Sequence, residues 1–338
     1  MAERLIEVIV PTRRVDSLAP VMDRDGVLAH WRVSENDDVC VWKAVVSLEA
    51  SEGVLDELEE RLGGEVRFRA LVMTIEATVP PIVRETKSEP DEAKPAVRVP
   101  MRVSRAELYE DIAGASKVDH LYVIQVVIAT VVAAIGLARD QPAIIIAAMV
   151  IAPLLGPNMA LALGATLGDT ALIKRSIRAS VVGVSIAFGL SLGLGYLPGF
   201  DLGVGEIDAR TSVGAPDVAL ALASGVAGTL AFTSGVGSAL VGVMVAIALL
   251  PPTVVMGAMV GAGRWHDALG AGLLLGVNVV CVNLAGVVTF LLKGIGPAGW
   301  WEAERSKRAS RRAIVIWVSL LAALVVMMVL HALLVVGV

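Results

Sequence analysis

Hydrophobic positions along the chain change period at about residue 120. Before it, apolar residues alternate with polar ones or recur in short runs, and after it they fuse into long uncharged stretches. The run ERLIEVIV (3–10) predicts a β-strand ended by Pro11. Val15, Leu18, Val21 and Met22 then recur at helical spacing, and Gly26 stops them. Two more strands are expected over 27–33 and 39–48, on either side of the turn-rich Ser34-Glu35-Asn36-Asp37-Asp38. Ser51 is placed to cap a helix over 52–62, whose Val54, Leu55, Leu58 and Leu62 share a face and which ends at Gly63-Gly64. A last strand is expected over 66–78, where Val66, Phe68, Ala70 and Val72 alternate with Arg67, Arg69 and Leu71. The order βαββαβ predicts a ferredoxin-like α+β head over residues 1–79.

Residues 80–103 carry Pro80, Pro81, Pro90, Pro95 and Pro100 among Glu, Lys, Ser and Asp, which predicts a flexible linker. Ser104 and Glu107 form a capping-box pattern. It opens an amphipathic helix within 104–118, with Leu108, Tyr109, Ile112 and Ala113 on its apolar side, expected at the membrane surface.

From residue 119 the pattern is that of an all-α membrane bundle. A membrane-crossing helix needs about 20 largely apolar residues. The uncharged windows are 121–138, 141–168, 179–200, 218–263, 268–292 and 313–338. The window 218–263 is too long for one helix and is interrupted by Ser234-Gly235-Val236-Gly237-Ser238, so about seven transmembrane helices are expected. Short loops rich in Lys and Arg stay in the cytoplasm. Lys117, Lys174, Arg175 and Arg178, then Lys293, Arg305, Lys307, Arg308, Arg311 and Arg312, fall on one side of the alternation. Arg139, Arg210 and Arg264 fall on the other. The expectation is an inner-membrane protein with a cytoplasmic N-terminal head and the C-terminus outside.

A shift of 95 residues superposes MVIAPLLGP (149–157) on MVAIALLPP (244–252), with five of nine positions identical. The repeat units would run over about 119–200 and 214–292, with an extra helix over 313–336. Each unit would hold three spans, an odd number, so the second is expected upside down relative to the first. Such 3+3 inverted repeats place a solute site near the midplane, between broken helices. Pro153 and Pro157 interrupt the second span and Pro251-Pro252 the fifth. Proline removes a backbone donor and frees carbonyls, which in a bilayer must find protein, water or a solute. Asn158 and Thr253 follow the two clusters at equivalent positions, and Asn278 and Asn283 lie in the sixth span. The candidate pathway is therefore Pro153, Gly156, Pro157, Asn158, Pro251, Pro252, Thr253, Asn278 and Asn283. Proline kinks for packing, and Asn acting as interhelical glue, remain the plain alternatives.

Composition sharpens this reading. The chain is 56% apolar and 18% charged, with a mean hydropathy of +0.75. Residues 1–120 hold 16 Lys and Arg against 24 Asp and Glu, and the rest hold 12 against 9. That excludes a basic nucleic-acid binder. Cys40 and Cys281 are far apart and lack metal-ligand spacing, so neither a metal nor a cofactor is expected. No carboxylate lies mid-span, which argues against a proton relay, and Asp169 at a helix end suits a cap. No nucleophile, acid–base pair or metal set points to an enzyme. The G-x-x-x-G pairs Gly164/Gly168, Gly189/Gly193, Gly257/Gly261 and Gly272/Gly276 allow close helix packing, within one chain or in a homo-oligomer.

AAIGLARDQPAIIIAAMVIAPLLGPNMALALG (133–164), ALVGVMVAIALLPPTVVMGA (239–258), LLLGVNVVCVNLAG (273–286) and the lead-in SRAELYEDIAGASKVDHLYV (104–123) resemble the prokaryotic uncharacterised hydrophobic domain family, domain of unknown function 389. The resemblance implies a multi-pass membrane protein and carries over no functional residue. The residues themselves favour a secondary transporter or channel for an unidentified small solute, with a regulatory or oligomerising head. A membrane-anchored metabolite sensor or scaffold is the alternative.

Overall fold

The computed structural model describes residues 3–35, 38–75, 105–196, 203–234, 249–295 and 300–336. The chain divides into two compact units, residues 1–108 and 109–338.

In the first unit, β1 (Glu3–Pro11), β2 (Val27–Glu35), β3 (Val39–Ser47) and β4 (Arg69–Ile75) form one antiparallel sheet in the order β2-β3-β1-β4. Period-two alternation puts Ile6, Val8 and Val10 on a single face of β1, and all three are fully buried. Cys40, Ala44 and Val46 of β3 join them, and Leu18, Val21, Met22, Val54, Leu58 and Leu62 pack over this core. Three expectations change. The last strand, expected from residue 66, begins at Arg69, and Val66 is exposed ahead of it. The first predicted helix is a 3-10 turn (Thr12–Ser17) followed by the single turn α1 (Ala19–Met22), because Pro20 suits only a first helical turn. The second helix, α2 (Leu48–Leu62), starts four residues early, with Ser47 rather than Ser51 at its cap position. Ser51 is buried instead. Arg4, 5% exposed, is neutralised by Glu107 at 2.8 Å, as a buried charge requires. The predicted linker over 80–103 lies outside the described residues.

The second unit is helical. It comprises the end of α3 (Arg105–Gly114), α4 (His120–Ala138), α5 (Pro142–Ile151), α6 (Leu155–Leu167), α7 (Thr170–Gly195), the short α8 (Gly205–Asp208), α9 (Ala215–Ser234), α10 (Leu250–Gly261), α11 (Trp265–Leu292) and α12 (Trp300–Val336). Among the described residues, α4, α7, α9, α11 and the Ser310–Leu333 part of α12 are long and apolar enough to cross a membrane. The pair α5 and α6, bent by 52°, makes a sixth crossing if counted as one span. Helix α10 has 12 residues, about 18 Å against a hydrocarbon core of about 30 Å. The stretch before it, 235–248, is not described, so the fifth expected span has only its second half on view.

Element boundaries recur at a constant offset of 95. Helices α4, α6 and α7 begin at 120, 155 and 170, and α9, α10 and α11 at 215, 250 and 265. The joints recur too. Gly168 and Gly263 both take a left-handed conformation, at φ 76° and 74°. The next amide then bonds back into the helix just ended: Asp169 N–H to the Gly164 carbonyl and Arg264 N–H to the Met259 carbonyl, each at 2.9 Å. Packing is crossed between the two sets, with α6 against α11 and α10 against α7. A Cβ on Gly286 would lie 2.8 Å from the Ala162 Cβ, and one on Gly257 would lie 2.8 Å from the Ser191 Cβ. These two pairs are themselves related by the same offset. Of the predicted glycine pairs, Gly257/Gly261 thus seats α10 on α7, whereas Gly189 and Gly193 have open space around them.

Candidate functional site

The first broken span follows from its prolines. Pro142 starts α5, and Ala152, extended at ψ 121° as a residue before proline prefers, ends it at Pro153. Helix α6 restarts at Leu155, with Pro157 in the first turn, where its missing N–H costs nothing. Helix α10 starts in the same way, with Pro251 and Pro252 in its first turn. Neither helix has a side-chain cap at its N-terminus. In each, the polar residue one turn in donates back to the carbonyl before the helix. Asn158 Nδ2 bonds the Leu154 oxygen at 2.9 Å, and Thr253 Oγ1 bonds the Leu249 oxygen at 2.8 Å.

Beyond this the two breaks differ. Asn158, 4% exposed, is met from α11 by Asn283, fully buried, whose Nδ2 donates to Asn158 Oδ1 at 2.9 Å and to the Val279 carbonyl at 2.8 Å. The orientation of both amides is forced. Asn158 must turn its nitrogen to the Leu154 carbonyl, which leaves its oxygen toward Asn283. Asn283 must then offer nitrogen to two oxygens, so its Oδ1 points away, buried and with no donor. A buried acceptor without a donor costs about 1–3 kcal/mol, which a water, a solute or a cation would offset. The position equivalent to Asn283 in the first repeat is Phe188, so the second break has no counterpart of this pair. Asn278 is buried one turn earlier on α11. Gly156, Pro157, Pro251, Pro252 and Thr253 are buried, and Pro153 is partly so.

Sequence spacing left open which of Asn278 and Asn283 would face Asn158; the α6–α11 packing selects Asn283. Spacing places the 104–118 helix and the Asp169 cap but not the partners they find around the break. The turn after α3, expected at the membrane surface, packs against α6 and α7. A Cβ on Gly156 would lie 2.6 Å from the Ala115 carbonyl oxygen. The buried Ser116 hydroxyl donates to the Ala113 carbonyl at 2.9 Å and accepts from Arg175 Nε at 3.0 Å, while Arg175 Nη2 reaches the same carbonyl. Tyr109 Oη donates to Asp169 Oδ2 at 2.7 Å, and Asp169 Oδ1 caps α7 through the Ala171 and Leu172 amides. Burial pushes the Asp169 carboxyl up. The Leu172 amide, the Tyr109 hydroxyl, the Ala171 amide and the Arg175 charge outweigh it and hold the carboxyl below its ordinary value.

A second strap repeats the first. Ile207 of α8 is buried like Ile112 of α3, and the Thr211 carbonyl oxygen lies against Gly270 as Ser116 lies against Arg175, both at the 95-residue offset. The signal was present in the sequence: Ile112/Ile207, Ser116/Thr211 and Val118/Val213 match at that offset. This second strap is fixed by the Glu206 amide on Asp140 Oδ1 at 2.8 Å and by an Arg210–Glu206 pair at 2.7 Å.

Hollows elsewhere are of other kinds. A groove of about 740 Å³ between α9, α11 and α12 is lined by apolar side chains with Thr289 and Lys293. In the first unit, a hollow of about 550 Å³ is lined by Arg13, Asp38, Glu65 and Arg67 among others. Neither Asn158 nor Thr253 lines either one. Among the described residues no group of three His, Cys, Asp or Glu is placed to hold a metal ion.

Residues 149–284 match the profile of a family described as a domain of unknown function (DUF389). An uncharacterised protein of Methanocaldococcus jannaschii, MJ0678, is 35% identical over 335 residues, covering 98% of this chain and all of the relative. No solved structure matches the chain.

Proposed function

The chain belongs to the DUF389 family, and from its geometry we propose that it is a secondary transporter or channel for a small, uncharged or weakly polar solute. In this reading the bundle is a 3+3 inverted repeat with α12 added, in the inner membrane, with the N-terminal unit cytoplasmic and the C-terminus outside. The N-terminal unit is ferredoxin-like: its βαββαβ order and its β2-β3-β1-β4 sheet support that assignment.

One observation carries the proposal: the forced Asn158–Asn283 pair at a helix break leaves a buried acceptor facing no donor. Broken helices between repeats are where transporters of this plan hold solutes. The inversion is supported by how contacts sort. Tyr109–Asp169, Ser116–Arg175 and Ser310–Thr166 join elements that up-and-down threading puts at the cytoplasmic end. Asp140–Glu206, Thr211–Gly270 and the stacked rings of His266 and His331 join elements that it puts at the outer end. The two straps would then lie on opposite faces.

The test is re-swelling of proteoliposomes after osmotic shock with glycerol, urea or acetamide, followed by light scattering. The proposal expects at least one probe to enter faster than in empty liposomes, and Asn283→Leu to reduce that excess several-fold. Rates equal to empty liposomes for every probe would reject it. The hollow lined by Arg13, Asp38, Glu65 and Arg67 favours a second reading, a metabolite sensor. That reading expects a ligand-induced thermal shift of the full chain that Arg13→Ala abolishes and Asn283→Leu leaves intact.

A further inference from the structure

We infer that the Ala113–Ser116 turn is the cytoplasmic gate over the Asn158–Asn283 pair, shut in this structure by Arg175 and by the Tyr109–Asp169 hydrogen bond. This rests on the transport reading above and assigns that site its regulation.

Placement comes first. Ala115 sits on Gly156, in the first turn of α6 and two residues before Asn158. Any larger residue at 156 would lift the turn, so the contact depends on glycine. The turn therefore closes over the first turn of α6, at the break itself.

The fastening is polar and local. Arg175, on the second turn of α7, spends two donors on the turn, at Ser116 Oγ and the Ala113 carbonyl. One turn of α3 earlier, Tyr109 holds Asp169, the residue that caps α7. Both anchors sit at one helix start, so a small displacement of α7 relative to α6 loosens both together.

The outer strap is built differently. At the offset of 95, Arg175 becomes Gly270, and the Thr211 backbone lies directly on that glycine with no side chain between. The polar fastening of the outer strap lies earlier in it, where the Glu206 amide bonds Asp140 Oδ1 at 2.8 Å. The two covers thus share a plan and differ in where each is fastened.

Hydrogen–deuterium exchange on the full chain in lipid nanodiscs tests this without needing a solute. Arg175→Gln, and separately the milder Tyr109→Phe, should speed exchange about tenfold in the 113–118 amides and in the Leu155–Met159 amides, with the 204–213 segment unchanged. Acceleration confined to 113–118, or an equal response at 204–213, would overturn the gate. The outcomes also separate from those of the transport reading. Exchange as expected with no solute flux would leave the cover standing and reject transport, whereas Asn283-dependent flux with unchanged exchange would do the reverse.

Discussion

Single residues decide whether this bundle is packed or merely assembled. A Cβ at Gly257 would come within 2.6 Å of the Phe188 carbonyl oxygen, backbone that cannot rotate away. Gly257→Leu should therefore cost about 1–3 kcal/mol by overpacking, measured by unfolding in mixed micelles. Gly189→Ala, in open space, should be neutral or slightly stabilising in the same assay. Asn158→Ala removes the acceptor that Asn283 donates to and should cost about 1 kcal/mol, the usual scale of interhelical hydrogen bonds in membranes. At the Asp169 cap the sign with pH is fixed by its lowered folded-state pKa. The stabilisation it confers is present above the ordinary carboxylate value of about 4 and is lost as pH falls through the lower folded value. Tyr109→Phe removes one cause of that lowering. The loss should then begin at higher pH, read from acid unfolding curves of the two proteins.

Elements were legible where one period ruled and obscure where two rules competed. The first three strands followed from apolar runs bounded by turn residues, whereas the alternation starting at Val66 placed the last strand three residues early. Leu58 and Leu62 lie in the head core where helical spacing put them. The Val15–Met22 spacing misled because Pro20, which suits only a first helical turn, divides that stretch into a 3-10 turn and a single α-turn. Both prolines of the first break were legible as an interruption, but the 52° bend and the choice of Asn283 over Asn278 depend on how α6 crosses α11. For the strap after α3, what the sequence did not show is its partner in the bundle. Its apolar side, Ile112 and Ala113, suits a lipid surface as well as a protein one, and only Gly156 and Arg175 on distant elements choose between them.

For the whole molecule, the constant offset of 95 is the central fact, and threading turns it into a statement about sidedness. Lys117 and Ser212 are exposed, follow the two straps and are equivalent at that offset. Under the proposed inverted repeat, three membrane crossings between them would place them on opposite faces. The most direct measurement introduces Lys117→Cys and Ser212→Cys separately, in a chain whose buried Cys40 and Cys281 are replaced by alanine. Each is then labelled with an impermeant maleimide in sealed vesicles of known orientation. The account predicts labelling of position 117 from the cytoplasmic face alone and of position 212 from the outer face alone. Labelling of both from the same face would contradict the inverted repeat, and with it the shared site and the paired gates.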